Sequence, residues 1–236
     1  MEKANLLASD KPNVSVITLL SHRHKFIPLV RACIEAQTYP SDKIEWVVID
    51  DGEPNSGDLF QGPRELYLHS NKPMNLGRKR QFASDIASGE FLFFFDDDDL
   101  HFPHRIERCV ERLQKTGARM VAGNSEMYLA DKPSEKVIKV GPHHKNHATA
   151  ATMAFRKEFL KHSGFRSSDK SGEEMHFLLN WTIPIVQMAC NDTIVALAHD
   201  ENTVSKNYQF QKKSKEYPLE TLFPHAELLN ILRKII

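Results

Sequence analysis

The chain has 236 residues, of which 41% are hydrophobic and 26% charged, and its 31 basic and 31 acidic residues give no formal net charge. This composition is typical of a globular protein with a core of its own, and the balanced charge excludes a general attraction to nucleic acid or to an acidic membrane surface. The three cysteines form no CxxC pair and residues 1–13 lack a long apolar run, so we expect a soluble, cytoplasmic protein without a disulfide framework.

Strand and helix patterns alternate through the first half of the chain. Short apolar runs predict strands over residues 14–20, 44–49, 66–69, 91–95 and 119–123. Apolar residues at helical spacing predict one helix that begins at residue 26 and another that begins near Pro103. A third helix is predicted over residues 75–88, with Gly89 as its C-cap. This order predicts an α/β fold in a single domain, with a mostly parallel central sheet flanked by helices.

The second half is less regular. Residues 128–150 are expected to form a loop or a β-hairpin. Helices are predicted over residues 155–162 and 173–181, and a strand is predicted over 193–198. Residues 219–236 predict a terminal helix with Pro224 near its first turn. Its apolar face is expected to dock on its own domain or to form a homodimer, and membrane contact is not favoured.

Two acidic clusters follow predicted strands. Asp50 and Asp51 end the second strand, and the run Asp96–Asp99 ends the strand FLFFF. Ligands of parallel α/β sheets bind beyond the carboxyl ends of the strands, where both clusters lie. Four adjacent carboxylates repel one another, and a divalent cation such as Mg²⁺ or Mn²⁺ would relieve that repulsion. The alternative is a solvated acidic loop that caps the next helix.

Four stretches carry a family resemblance in the expected order. They are VSVITLL with the following AQTYP, VVIDDG at 47–52, NLGRKRQFASDIASGEFLFFFDDDDLHFP at 75–103, and SGEEMHF at 171–177. Together they resemble the inverting family 2 glycosyltransferases over residues 13–205. The resemblance implies a GT-A-type fold and a nucleoside-diphosphate sugar as donor.

The resemblance also implies a nucleotide site. Asp51 would accept a hydrogen bond from the base, and Asp50 would support the turn or the base, although Asp-Gly sequences also serve plain turns. Arg80 and Arg78 would contact the diphosphate or the carboxylates that bind the base, and the alternative for Arg78 is a solvated helix face. Gln81 stands where the family has Asn.

The long acidic run would hold the metal and the donor. The resemblance implies Asp98 as the direct ligand of a divalent cation, Mn²⁺ or Mg²⁺, with Asp96 and Asp97 near the ribose or the metal's water ligands. Asp96 is a further candidate ligand, and Asp99 would position the donor sugar. His199 would complete the metal site, although a histidine at a strand end is also an ordinary structural residue.

The base of the reaction is implied at Glu174, where the family has Asp, with Glu173 as the second candidate. Adjacent carboxylates repel, which could raise one pKa towards a useful value. The alternative is an acidic first turn of a helix. Trp181 is a candidate to stack on an acceptor or donor sugar, or else a core residue.

The implied reaction moves a sugar with inversion, from a donor we expect to be a UDP-sugar, to a hydroxyl of a glycan, glycoprotein or other acceptor. No Q-x-x-R-W signature is present, so processive synthesis is not expected. The predicted organisation is an N-terminal extension (1–12), a transferase domain (13–205) and a C-terminal extension (206–236). Within the domain, 13–127 would bind the nucleotide and 128–205 the acceptor.

Two other functions stay open. A nucleotidyltransferase that forms sugar nucleotides would share the strand order, but it needs a glycine-rich basic loop after the first strand, where this chain has Ser21-His22-Arg23-His24. A catalytically silent sugar- or nucleotide-binding module is compatible with the Glu at the base position. Turnover of an intact donor would separate that module from an enzyme.

Overall fold

The computed structural model describes residues 11–132, 134–202, 206–211 and 214–235. Most of the predicted N-terminal extension and the predicted boundary at residue 205 lie outside the described residues. The described strands are β1 (Val14–Leu20), β2 (Ile44–Asp50), β3 (Glu65–His69), β4 (Phe91–Phe94), β5 (Leu100–His101), β6 (Val121–Gly123), β7 (Met127–Asp131), β8 (Lys136–Val140), β9 (Ala154–Arg156), β10 (Val186–Gln187), β11 (Ile194–Ala198) and β12 (Tyr217–Pro218). The α-helices are α1 (Ile27–Glu35), α2 (Leu76–Ile86), α3 (Arg105–Thr116), α4 (Glu173–Phe177), α5 (Leu219–Leu222) and α6 (Ala226–Ile235).

Two sheets organise the described chain. The seven-stranded sheet has the order β10-β6-β9-β4-β1-β2-β3, and only β9 runs antiparallel to its neighbours. The mostly parallel central sheet is therefore confirmed. The five-stranded sheet has the order β12-β8-β7-β11-β5, and it contains the hairpin β7–β8 that was one of two expectations for residues 128–150.

Buried side chains of the central strands alternate between the two faces of the large sheet. Phe91, Phe93 and Phe95 belong to the core cluster that includes Ile106 and Leu113 of α3. Leu92 and Phe94 belong to the cluster on the other face, which includes Ala83 of α2 and Phe177 of α4. Because both faces of β4 are covered, its sequence is a continuous apolar run and not an alternating one.

Gly89 has a different role from the predicted helix cap. Helix α2 ends at Ile86 with Ala87 as its C-cap residue, so the prediction was wrong. A Cβ at Gly89 would lie 2.5 Å from the backbone nitrogen of Ser15 in β1. The glycine is therefore required where the chain crosses close to β1, just before it enters β4.

Two predicted helices are wrong in part. Residues 154–156 form β9, which pairs with both β4 and β6, and only a 3₁₀ turn follows over Lys157–Lys161. Helix α4 stops at Phe177, well short of residue 181. Leu179, Asn180 and Trp181 have φ angles of 49°, 52° and 62°, a left-handed conformation that cannot continue a right-handed helix.

The predicted terminal helix is two helices, α5 and α6. Phe223 is non-helical, as expected of a residue that precedes a proline, and Pro224 lies between the helices. Leu228, Leu229 and Leu232 of α6 are buried in one cluster with Leu29 and Cys33 of α1. Docking of the helix on its own domain is therefore confirmed. Within the described ranges, no helix is long and apolar enough to cross a membrane.

Candidate active site

A cleft of about 250 Å³ brings together six of the predicted site residues. They are Arg80, Asp96, Asp98, Asp99, Glu173 and Glu174. The other predicted residues do not line this cleft: Asp50, Asp51, Arg78, Asp97, His199 and Trp181. The cleft is bounded by the turn after β4, the start of α4 and the turn at residues 149–151 before β9.

The turn after β2 is fixed by its two aspartates. Asp50 is fully buried and accepts hydrogen bonds from the backbone N–H of Gly52 at 2.8 Å and from the hydroxyl of Tyr67 at 2.8 Å. Asp51 accepts from the backbone N–H of Met74 at 2.7 Å and from the Lys79 ammonium. Burial alone would raise the pKa of Asp51, but these two donors outweigh it and hold the pKa below its ordinary value.

Lys79 and Arg78 are neighbours in sequence with opposite surroundings. The Lys79 ammonium is buried, contacts Asp51 and donates to the carbonyl of Leu20 at 2.9 Å. Arg78 is exposed and has no hydrogen bond or ion pair within the described residues. Lys79, and not Arg78, therefore ties α2 to the turn after β2.

This difference predicts unequal effects of one substitution at the two positions. Lys79→Met should lower the free energy of unfolding by about 1–3 kcal/mol, because it removes the charged hydrogen-bond partner of Asp51 and one of the two donors to the Leu20 carbonyl. Arg78→Met, the matched control, should change it by less than about 0.5 kcal/mol. Urea denaturation of both variants measures this, and equal losses would show that Lys79 has no special role.

Arg23 neutralises the middle of the acidic run. Its guanidinium lies 2.5 Å from Oδ1 of Asp97 and 2.5 Å from Oδ2 of Asp98. The side chain of Asp97 is fully buried and does not line the cleft. Burial and the neighbouring Asp98 carboxylate raise the pKa of Asp97 well above its ordinary value.

Three donors surround one oxygen of Asp98. Besides Arg23, Nε2 of His199 lies 3.0 Å and Nδ2 of Asn202 lies 3.1 Å from Oδ2. Burial alone would raise the pKa of Asp98, but the hydrogen bond with His199 and the charges of Arg23 and Lys206 outweigh it and hold the pKa well below its ordinary value. Its other oxygen, Oδ1, has no hydrogen-bond partner within the described residues. His199 thus positions Asp98 from behind the cleft.

Asp96 and Asp99 flank this pair in different environments. The carboxylate of Asp96 is 29% exposed and lies 3.3 Å from Nη2 of Arg80. Asp99 is buried, accepts from the backbone N–H of Leu197 at 3.1 Å, and lies 3.8 Å from the Lys206 ammonium. Burial raises the pKa of Asp99 to about 7. Two carboxylates in unlike environments therefore face the same cleft.

The two glutamates at the start of α4 are also unlike. Glu173 is 2% exposed and accepts a hydrogen bond from Nε of Arg80 at 2.5 Å. Glu174 is half-buried, lines the cleft and has no hydrogen bond from a side chain within the described residues. Burial, followed by the charge of Glu173, raises the pKa of Glu174 to about 7. Glu174 is thus free to exchange a proton with a molecule in the cleft.

Trp181 lies in the left-handed segment after α4. Its ring stacks at a tilt on His147, with 4.6 Å between the ring centroids, and its carbonyl accepts from Nδ2 of Asn146 at 2.8 Å. It also packs against the core cluster that contains Phe177. These contacts join the segment after α4 to the loop before residue 149.

The sequence did not single out several residues that shape the cleft. Arg23, Asn202 and Lys206 line it, but each contacts the acidic run across at least 74 residues of chain. Fully buried Arg105 donates to the carbonyls of Ala151 at 2.8 Å and Phe94 at 3.0 Å, so it fixes one wall of the cleft. Local sequence patterns do not predict contacts between residues so far apart in the chain.

The residues of the cleft fit a divalent cation that uses few protein ligands. Within the described ranges, no group of three or more His, Cys, Asp or Glu side chains is arranged to hold a metal ion. Asp96 and Asp98 nevertheless face the cleft, and the unpaired Oδ1 of Asp98 is a hard oxygen donor. Mg²⁺ commonly takes one or two protein carboxylates and completes its shell with water and phosphate.

Comparisons with known proteins agree on one family. The profile of glycosyl transferase family 2 matches residues 15–172. The glycosyltransferase GlyG of Streptococcus pneumoniae is 27% identical over 121 residues, which cover 49% of this chain and 40% of that protein. The glycosyltransferase AglE of Haloferax volcanii is 27% identical over 126 residues, which cover 51% of this chain and 41% of that protein. The chain thus matches about two fifths of the length of these relatives.

Solved structures share the fold. The mannosyltransferase PcManGT of Pyrobaculum calidifontis, in complex with GDP-Man and Mn²⁺, matches with a TM-score of 0.61 and 15% identity over 97% of this chain and 75% of that chain. TarS of S. aureus, in complex with UDP-GlcNAc, matches with a TM-score of 0.59 and 17% identity over 80% of this chain and 60% of that chain. At these identities the likeness concerns the fold alone, and it confirms the predicted GT-A-type α/β fold.

Proposed function

Because the chain belongs to glycosyl transferase family 2, we propose that it transfers a sugar, with inversion, from a nucleoside-diphosphate donor to an acceptor hydroxyl. One observation carries this proposal: Glu174 lines the same cleft as the carboxylates of Asp96 and Asp98. A proton acceptor and an anionic pair suited to a cation are therefore present in one space. A hydroxyl attack on a sugar bound to a diphosphate needs both.

Glu174 is the proposed general base. It has no side-chain hydrogen bond to break, and its pKa of about 7 makes it a stronger base than an ordinary carboxylate. Glu173 is the weaker candidate, since Arg80 already holds it at 2.5 Å. Glu173 instead positions Arg80, whose planar group also packs 4.4 Å from the ring centre of Phe94.

Cationic groups around the cleft support binding of the donor diphosphate. Arg80 lines the cleft, and its Nη1 is a buried donor without a partner within the described residues. Lys206 lies on the same cleft beside Asp99. Asp98 and Asp96 would hold a Mn²⁺ or Mg²⁺ ion, which would supply charge stabilisation to the leaving diphosphate. His199 would keep Asp98 in position, and Asp99 would contact the donor sugar.

The nucleoside is proposed to lie along the turn after β2. Asp51 and Asp50 are held there at the carboxyl end of β2, next to the start of α2. The structural neighbours were solved in complex with UDP-GlcNAc and with GDP-Man, so uridine and guanosine donors are the first to test. We propose a UDP-sugar. The acceptor is proposed to approach Glu174 from the side of Trp181, next to the turn at residues 149–151.

Stereochemistry tests the reaction class. With α-linked UDP-, GDP- and dTDP-sugars and a panel of simple glycoside acceptors, we expect a β-linked product, because a single attack opposite the diphosphate inverts the anomeric carbon. Proton NMR of the first product formed measures the configuration. An α-linked product would contradict inversion. Donor binding without any turnover would favour the silent binding module.

A further inference from the structure

The loop after β1 is pressed against the turn after β2. His22 has a left-handed φ of 54°, and a Cβ on Gly52 would lie 2.3 Å from the backbone nitrogen of His22. The loop can therefore approach this closely only because residue 52 is a glycine. The next residue in this loop is Arg23, whose side chain contacts the acidic run.

Arg23 makes two charged contacts at once. One nitrogen of its guanidinium lies 2.5 Å from Asp97 and the other 2.5 Å from Asp98, and its side chain is only 19% exposed. Asp97 is fully buried, and its second oxygen, Oδ2, has no partner within the described residues. Arg23 is thus the cation in direct contact with this buried carboxylate.

Arg23 also lines the cleft, next to Asp98. Its contact is with Oδ2, which leaves Oδ1 of the same carboxylate for a ligand in the cleft. A cation bound at Oδ1 would lie a few ångströms from the guanidinium. At that separation, the repulsion between a guanidinium and a divalent ion corresponds to more than about a tenfold change in affinity, even at the effective dielectric of a protein surface.

We propose that Arg23 is a positioning residue that acts as a built-in counter-ion of the metal site, holding Asp97 and Asp98 in place without a metal and weakening the binding of a divalent cation there. This inference rests on the proposed function, since it assumes that Asp98 ligates the metal. The loop after β1, which carries Arg23, would therefore control the affinity of the site for metal.

The choice of arginine follows from the geometry. A guanidinium has a planar fork that reaches two carboxylates, whereas the ammonium of lysine is a single point charge. Arg23→Lys should therefore keep one of the two contacts, and it should bind a divalent cation with an affinity between those of the natural protein and Arg23→Met.

The experiment titrates Mn²⁺ alone and follows the free ion by electron paramagnetic resonance. Arg23→Met should bind Mn²⁺ at least about tenfold more tightly than the natural protein. Lys25→Met is the matched control, because Lys25 is an exposed cation of the same segment that pairs with exposed Glu201. It should change the Mn²⁺ affinity by less than about twofold.

A double variant keeps the test informative if Arg23→Met fails to fold. Arg23→Met leaves buried Asp97 without its counter-ion, which can destabilise the protein. Arg23→Met with Asp97→Asn removes both charges of that contact, and it should bind Mn²⁺ more tightly than Asp97→Asn alone.

Different failures are distinguishable. Equal or weaker Mn²⁺ binding in folded Arg23→Met and in the double variant would overturn the role of Arg23 and leave the proposed transferase intact. Absence of Mn²⁺ binding in the natural protein and in every variant would overturn both this inference and the proposed metal site.

Discussion

Replacing Glu174 by Gln is expected to lower the rate of sugar transfer by about 10²- to 10⁴-fold, the usual contribution of a general base. The affinity for UDP should stay within about twofold, because a residue that acts only in the transition state contributes little to ground-state binding. Glutamine keeps the size of the side chain in the half-buried position but cannot accept the proton of the acceptor hydroxyl. Steady-state kinetics and a UDP titration measure the two effects separately.

The pH dependence gives a second check on Glu174. Burial and Glu173 raise its pKa to about 7, and the base must be deprotonated to act, so the transfer rate should rise as the pH rises through about 7. Glu174→Gln should lose this limb of the profile. If Glu174→Gln still transferred sugar with an unchanged pH profile, another residue would be the base.

Glu173→Gln is the informative comparison for the same step. Glu173 accepts a 2.5 Å hydrogen bond from buried Arg80, so its loss should destabilise the protein by about 1–3 kcal/mol and disturb Arg80. The rising limb of the pH profile should remain, since Glu174 still supplies the base, but it should move to lower pH because the charge of Glu173 no longer raises the pKa of Glu174. If the rising limb of the pH profile were lost in Glu173→Gln and kept in Glu174→Gln, Glu173 would be the base and Glu174 would not.

Asp98→Asn is expected to abolish the effect of Mn²⁺ on donor binding. Changes to residues that merely support a metal ligand cost about 10- to 100-fold in metal affinity, so the loss of a direct ligand should cost at least as much. The substitution also removes the charge that Arg23 and His199 hold in place. Calorimetric titration of UDP with and without Mn²⁺ should give the same weak affinity in this variant.

Asp42→Asn serves as the matched control for that experiment. Asp42 is an exposed aspartate in the turn before β2, whereas the cleft lies beyond the carboxyl ends of the strands. It should retain the full Mn²⁺ dependence. Retention of that dependence in Asp98→Asn as well would remove Asp98 from the metal site.

The sequence predicts the strands of the fold better than its short helices. β1, β2 and β4 are buried on both faces, so each is a continuous apolar run that is visible in the sequence. The predicted helix over residues 155–162 was wrong at its start, where the structure has β9. Pairing with β4 and β6 decides its structure, and such pairing is tertiary information that local propensity does not contain.

The candidate site divides in a similar way. Asp96, Asp98 and Glu174 were identified from motifs, because they follow a strand or open a helix at a family-like spacing. The sequence argument that four aspartates need a metal ion was incomplete, since Arg23, Arg80 and Lys206 supply charge to the run. Those cations come from three distant segments, and the three-dimensional fold alone brings them together.

Calorimetric titration of the natural protein with UDP, in the presence and absence of Mn²⁺, tests the central proposal of a metal-dependent donor site most directly. The proposed site predicts tight binding with Mn²⁺ and at least about tenfold weaker binding without it, because the carboxylates of the cleft repel an uncompensated diphosphate. Equal affinity in both conditions, or no binding of UDP, GDP or dTDP in either, would contradict the proposed site.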